Sequence, residues 1–306
     1  MIAIILGTRP EIIKLSPIFR ELIRLKISFF IIHTNQHYSP NMDALFFSEL
    51  KLPHPKYNLL IREKTHGSMV GEMIKKIEKV LLITKPQWVI VQGDTNTVMA
   101  AAIAASKIPI KLAHVEAGLR SYDRNMPEEI NRIITDHVSD LLFCPTPNQA
   151  SIAISEGIEK NKVKVTGNTI VDAVNQNLKL ALTDKIFDKY KNINYGLVTL
   201  HRPSNVDSKI PLKNIMSTLE KISDIINAPI IFPVHPRTKK QLRKFKIKVN
   251  GEKIKMSDPV GYLQMLTMMK FAKIILSILH GNKIYIHAGS MKLVEAVLLD
   301  HLLSAQ

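Results

Sequence analysis

Short apolar runs alternate with longer amphipathic ones along most of this chain, and that alternation limits its fold more than any other feature. "IAIIL" (2–6) has no polar residue at all, as expected of a strand buried on both faces. The turn "GTRPE" follows it. Beyond the turn Ile12, Leu15, Ile18, Phe19, Leu22 and Ile23 recur at helical spacing. "FFIIH" (29–33), "QWVIVQGD" (87–94), "KLAHVE" (111–116) and "LLFCPT" (141–146) repeat the strand pattern. "NTVMAAAIAASK" and "PEEINRIITDHV" read as helices, with Pro127 suited to a first turn. The pattern restarts after "VKVTGNTIVDAVNQNL", where "YGLVTLH", "APIIFPVH", "KIKMSD" and "FAKIILS" are strands between helical stretches. The prediction is an α/β chain with two doubly wound halves and a boundary near Gly167.

A chemical expectation follows from this organisation. In open α/β sheets, ligands bind beyond the carboxyl ends of the strands, where helix N-termini offer free N–H groups. The polar motifs "GTRPE", "HTNQHY", "QGDTNT", "HVEAGLR", "GNT", "TLHRPSN" and "PVHPRT" each begin as an apolar strand runs out. Two halves with such rims predict a cleft for a small ligand.

Composition narrows the ligand. The 306 residues carry 42 Lys+Arg against 26 Asp+Glu, a formal charge of +16 that admits nucleic acid, an anionic membrane or small anionic substrates. The densest basic stretch, from Arg237 to Lys255, lacks the interleaved aromatics of a base-stacking surface and reads as a solvated helix and loop, so no nucleic-acid partner is expected. No apolar run reaches the length of a membrane span, and "MIAIILG" is too short for a secretory signal core, so no membrane partner is expected. A single cysteine, Cys144, excludes an internal disulfide framework and suits a reducing cytoplasm.

Arg9 in "GTRPE" stands at a helix N-terminus, where its charge opposes the helix dipole unless an anion is present, and Lys14 lies one turn on. A surface arginine beside Glu11 is the plain alternative. Asp94 follows a strand with Thr95 or Asn96 ready to cap the next helix. Glu116 ends a strand beside Gly118, which lets the backbone pass close to something. Glu128 opens a helix, where the dipole favours it, and Arg132 four residues later suggests an i,i+4 pair. His201 and His235, with Arg202 and Arg237 close behind, end two strands of the second half. Their spacings match no zinc pattern, so no metal is expected.

Taken in order and spacing, "GTRPEIIKLSPI", "TNQHY", "QGDTNTV", "HVEAGLRS", "PEEINRIITDH", "GNTIVDA", "TLHRPSNVD", "HPRT" and "DPVGYL" resemble the non-hydrolysing UDP-N-acetylglucosamine 2-epimerases, most of all the archaeal ones. The resemblance implies two Rossmann-like domains in the glycosyltransferase-B arrangement: 1–167 carrying acid–base residues, and 168–306 binding the nucleotide. It implies interconversion of UDP-GlcNAc and UDP-ManNAc through elimination and re-addition of UDP, in a homodimer with no cofactor. Carried over motif by motif, Asp94, Glu116, Glu128 and His201 are the acid–base candidates. Arg9, Lys14 and Arg132 would steady the diphosphate or the carboxylates, and His235 and Arg237 join them as substrate-binding candidates. Gln36 and His37 match a segment linked to a second, regulatory substrate site in bacterial members.

The resemblance stops after about residue 276. The family continues with an acidic, glycine-rich segment that presents backbone N–H groups to the diphosphate, and with a glutamate that holds the ribose. Here "ILHGNKIYIHAGSMKLVEAVLLDHLLSAQ" stands instead, and His280, Gly281 and Asn282 do not rebuild that cradle. The abrupt change suggests a reading-frame shift or truncation near Ser277, which comparison of the encoding DNA in three frames tests. Val294, Val297, Leu298 and Leu302 predict a short helix, and an uncovered apolar sheet edge is expected. Two other readings stay open: a binding remnant without turnover, and another enzyme on the same fold.

Overall fold

The structure is a computed structural model that describes residues 1–36, 46–182, 190–200, 203–278 and 284–288. The chain divides into two compact units, Met1–Ala173 and Val174–Gln306, the division falling inside a helix.

The first unit contains β1 (Ile2–Leu6), α1 (Arg9–Arg24), β2 (Phe29–His33), β3 (Tyr57–Asn58), α2 (His66–Thr84), β4 (Trp88–Gln92), α3 (Asn96–Ser106), β5 (Lys111–Val115), α4 (Pro127–Val138), β6 (Leu141–Cys144), α5 (Pro147–Ser155) and β7 (Val163–Val165). Helix α6 (Thr169–Ala181) follows. The strands form a seven-stranded sheet in the order β3-β2-β1-β4-β5-β6-β7, with every pairing parallel. Ala3, Ile4, Ile5 and Leu6 are completely buried, as a central parallel strand covered on both faces requires. Helix α3 packs closely because its buried face is largely alanine: Ala100, Ala101, Ala102, Ala104 and Ala105 leave little side chain between helix and sheet. The short strands β3 and β7 escape a sequence reading because two or three residues cannot display a period.

The second unit contains β8 (Gly196–Thr199), α7 (Pro203–Val206), α8 (Lys209–Ile226), β9 (Ile230–Pro233), α9 (Pro236–Lys244), β10 (Ile254–Ser257), α10 (Tyr262–Phe271), β11 (Ile274–Ile278) and β12 (Ile284–His287). The sheet order is β10-β9-β8-β11-β12, parallel except for β12, which runs antiparallel to β11. This last strand covers β11 and becomes the edge itself, with Tyr285 and Ile286 exposed on it, so the expected apolar edge lies at β12. The segment beyond Ser277 supplies a partner for β11, and His287 Nε2 lies 2.9 Å from the buried Ser277 Oγ. The helix expected around Val294–Leu302 lies outside the described residues.

In the first sheet the strand order reverses between β1 and β4, so their following loops diverge and leave a crevice at the carboxyl ends. Glu11 spans that crevice. It sits three residues after the helix-capping position Thr8, the spacing of a capping box, but its carboxyl reaches further back than a simple box. One oxygen accepts from Gly7 N (2.9 Å) and Thr8 Oγ1 (2.7 Å), and the other from Thr95 Oγ1 (2.9 Å) at the start of α3. Glu11 is 2% exposed, so it is no surface partner for Arg9. Burial pushes its carboxyl up to about 7, against the hydrogen bonds that pull it down. Gly7 is needed beside it, because a Cβ there would lie 2.2 Å from Thr34 Oγ1 and 2.3 Å from Thr97 Oγ1.

Two outcomes are expected. Folded Glu11 holds its proton up to about pH 7, whereas the unfolded chain releases it near 4.5, so stability falls as pH rises through that window. Urea unfolding should show a loss of roughly 3 kcal/mol across it that is missing in Glu11→Gln, and parallel pH curves would exclude Glu11 as the cause. Separately, Gly118 has φ +78° and a Cβ on it would lie 2.4 Å from Gln149 O, whereas Gly157, at φ +94°, has open space around it. Gly118→Ala should therefore destabilise by more than about 2 kcal/mol, and Gly157→Ala by about 1–2 kcal/mol, the cost of a left-handed alanine.

Candidate active site

Strand β4 runs out at Gly93, whose N–H donates to Val115 O (3.1 Å) and whose φ of +83° turns the chain sharply. Asp94 follows. It does not cap the next helix: Thr95 does, accepting from Val98 N at 3.4 Å. That leaves the Asp94 carboxylate free to receive Arg132 Nη1 at 2.7 Å, with its side chain 28% exposed. The i,i+4 pairing expected between Arg132 and Glu128 is not formed. Arg132 turns instead to Asp94 and to Glu129, the latter 2.9 Å from Nη2, because those carboxylates lie on its buried side.

Glu116 ends β5 in the left-handed region at φ +69°, a conformation that costs a non-glycine residue of order 1–3 kcal/mol. Its N–H and that of Ala117 both donate to Phe143 O, at 3.0 and 3.1 Å, which holds the kink in place. The carboxylate accepts from Lys14 Nζ (2.7 Å), from the Gln92 side-chain amide and, more distantly, from Asn168 Nδ2 (3.5 Å). Lys14 thus meets a carboxylate. The "something" that passes Gly118 is the α5 backbone at Gln149.

Asp94 carries a raised pKa. Burial raises it most, Arg132 and Lys14 pull it down, and the charges of Glu116 and Glu128 push it up again. Asp94 therefore senses both of the other acid candidates. Glu128, half-buried in the first turn of α4, makes no hydrogen bond or ion pair among the described residues. Its neighbour Glu129 is buried and accepts from Ser121 N, Ser121 Oγ and Tyr122 N at 2.9–3.0 Å, tying down the preceding loop. Burial raises its pKa, but those donors and Arg132 outweigh that and leave it lowered.

Behind these groups lies a second buried layer that the sequence reading missed. Asp136 accepts from His114 Nδ1 (2.7 Å), Arg120 Nη1 (2.7 Å) and Gly118 N (3.1 Å), and Arg120 also binds Glu156 at 2.6 Å. His114 Nε2 meets Gly93 O at 2.8 Å. Burial lowers the His114 pKa, but Asp136 reverses this and leaves it raised; Asp136 itself is lowered despite burial, by His114 and Arg120. Asn131 Nδ2 donates to Asp94 O (2.8 Å) and to Asn96 Oδ1 (3.2 Å). Only the buried polar face of α4 hints at this layer in the sequence.

The remaining candidates have separate surroundings within each unit. Arg9 is half-buried at the first position of α1. Gln36 Oε1 accepts from Thr97 N (3.2 Å) and Thr97 Oγ1 (2.9 Å), so it secures the start of α3. In the second unit His235 caps α9, accepting from Arg237 N at 3.2 Å, and Arg237 forms a two-pronged pair with Asp207. His37 and His201 lie outside the described residues. Among the described residues no group of three or more His, Cys, Asp or Glu side chains is arranged to hold a metal, and no helix is long and apolar enough to cross a membrane.

The first unit thus offers paired carboxyls at adjoining strand ends, each gripped by its own cation. Such a pair can hold one proton and exchange it with a bound carbon acid. Comparison with known proteins gives the arrangement a family. The family model for UDP-N-acetylglucosamine 2-epimerase matches residues 21–277. The UDP-N-acetylglucosamine 2-epimerase of Methanocaldococcus jannaschii is 56% identical over 285 residues, covering 90% of this chain and 78% of that protein. That of Methanococcus maripaludis is 52% identical over 284 residues, with 90% and 77% covered. A crystal structure of the M. jannaschii enzyme in complex with UDP-GlcNAc and UDP superposes with a TM-score of 0.76 at 56% identity, covering 92% of this chain and 79% of that one. With the family model matching residues 21–277 and the M. jannaschii relative 56% identical over 90% of the chain, the chain belongs to the UDP-N-acetylglucosamine 2-epimerase family.

Proposed function

We propose that this chain interconverts UDP-GlcNAc and UDP-ManNAc. A base takes the proton from C2, the C1–O bond to UDP breaks on the opposite face, and a 2-acetamidoglucal and UDP result. Re-addition of UDP at C1, with a proton delivered to the other face of C2, gives the epimer. The observation that carries this reading is the pairing of Asp94 with Arg132 and of Glu116 with Lys14, side by side at the ends of β4 and β5. Asp94, its pKa pushed up, suits the proton-carrying role. Glu116, held by one cation and two amides, suits a fixed carboxylate, and Glu128 is the third group in reach of their charges. By motif match the resemblance further assigns His201 an acid–base role, His235 and Arg237 to substrate binding, Arg9 to the diphosphate or the carboxylates, and residues 168–306 to the nucleotide. The resemblance supports a homodimer, and the buried free Cys144 supports a cytoplasmic setting.

The segment after Ser277 favours a second reading. His280, Gly281 and Asn282 stand where the family has its diphosphate cradle, so nucleotide sugar would bind without turnover. Proton NMR of UDP-GlcNAc in deuterated water separates the two. The expected result is deuterium at C2 together with UDP-ManNAc, slowed at least about a hundredfold in Asp94→Asn and in Glu116→Gln. Thermal unfolding should still respond to UDP-GlcNAc in both variants. A raised melting temperature with C2 left protiated supports the second reading, and neither signal overturns both.

A further inference from the structure

The turn that carries Asp94 has two consecutive carbonyls, those of Gly93 and Asp94, that accept from side chains. Each is taken by a buried side chain from a different element: Gly93 O by His114 Nε2 of β5 at 2.8 Å, and Asp94 O by Asn131 Nδ2 of α4 at 2.8 Å. His114 is completely buried and Asn131 is 3% exposed, so both donors are withdrawn from water. On its far side His114 gives its other N–H to Asp136 Oδ1 at 2.7 Å. Both partners of the ring can only accept, so the imidazole satisfies both only as the doubly protonated cation. Asp136 is held in turn by Arg120 and by Gly118 N, so this end of the clasp is anchored to the loop after Glu116. Arg132, next to Asn131 on α4, holds the Asp94 carboxylate itself.

We propose that His114 and Asn131 are positioning residues of the epimerisation: by clamping successive carbonyls they fix the peptide at Gly93–Asp94 and so aim the Asp94 carboxyl. The inference rests on the acid–base reading of Asp94. Both are buried and act through the Gly93–Asp94 peptide, so their loss slows turnover and leaves substrate affinity unchanged.

Two replacements at one position test this. In His114→Asn the amide nitrogen falls near the place of Nδ1, keeping a donor for Asp136 and losing the one for Gly93 O. In His114→Gln it reaches the place of Nε2 and keeps the donor for Gly93 O. Both remove the charged ring, so a purely structural role would weaken them alike. The expected result is a kcat at least tenfold below wild type for His114→Asn with KM within twofold, and recovery to within about threefold of wild type in His114→Gln. Asn131→Ala should show the same kcat loss at unchanged KM. Combined with His114→Asn, it should lose less than the product of the single effects, since both act on one peptide. Amide exchange over residues 92–97 should be faster in His114→Asn and near wild type in His114→Gln, a readout that needs no turnover. Equal activity and equal exchange in the two His114 variants, or losses confined to KM, would overturn the proposal. If Asp94→Asn exchanges C2 at the wild-type rate, the acid–base reading itself fails; if it is inert while His114→Asn and Asn131→Ala run at full rate, only the positioning inference fails.

Discussion

A carboxylate buried as completely as Asp136 is tolerable only when its lost hydration is replaced, and much of the first unit's polar interior is arranged around that need. Its donors come from β5, from the loop after β5 and from Arg120. Satisfying it therefore fastens a strand, a loop and a helix to one another at the rim of the sheet. Removing one donor would leave that charge less fully compensated, with the others still holding it. Asp94 inherits its position from it through His114 and Gly93, whereas the kink at Glu116 is held by Phe143 O of β6.

The same interior reconciles a chain of +16 with an acidic site. The cations placed there are spent on particular carboxylates: Lys14 on Glu116, Arg132 on Asp94 and Glu129, Arg120 on Asp136 and Glu156. Excess positive charge lies elsewhere, as on exposed α9, where Arg237 and Lys239 pair with surface aspartates and neighbouring lysines are solvated. Acidic groups are thus compensated locally in a protein whose net charge is strongly positive.

How much of this could be read from the chain depends on the range of the interaction. Most of the longer parallel strands declared themselves through apolar runs, and the motifs near their ends drew attention to Asp94, Glu116, Lys14 and Arg132, because a parallel sheet sends its loops to one rim. Local logic failed where long-range pairing won. Arg132 ignored the partner four residues away for one 38 positions back, and His114 and Asp136, 22 apart, have no spacing that announces them. Glu11 looked like a solvent-facing neighbour of Arg9 and is a buried cross-tie to Thr95, 84 residues on. The antiparallel β12 had no precursor in the motif pattern, since the family match ends at residue 277.

Helix α4 is built inside out. Glu129, Asn131, Thr135 and Asp136 face the interior while Ile130, Ile133 and Ile134 stay only partly covered. Grease forgives sliding: an oily helix can creep along its bed by an ångström and lose little. A helix seated on matched charges and amides has no neighbouring seat of comparable energy, so it behaves as a key in a lock cut for one depth. The protein has given up an apolar contact at that spot and received mechanical exactitude, a rod that cannot drift without announcing it through the chemistry.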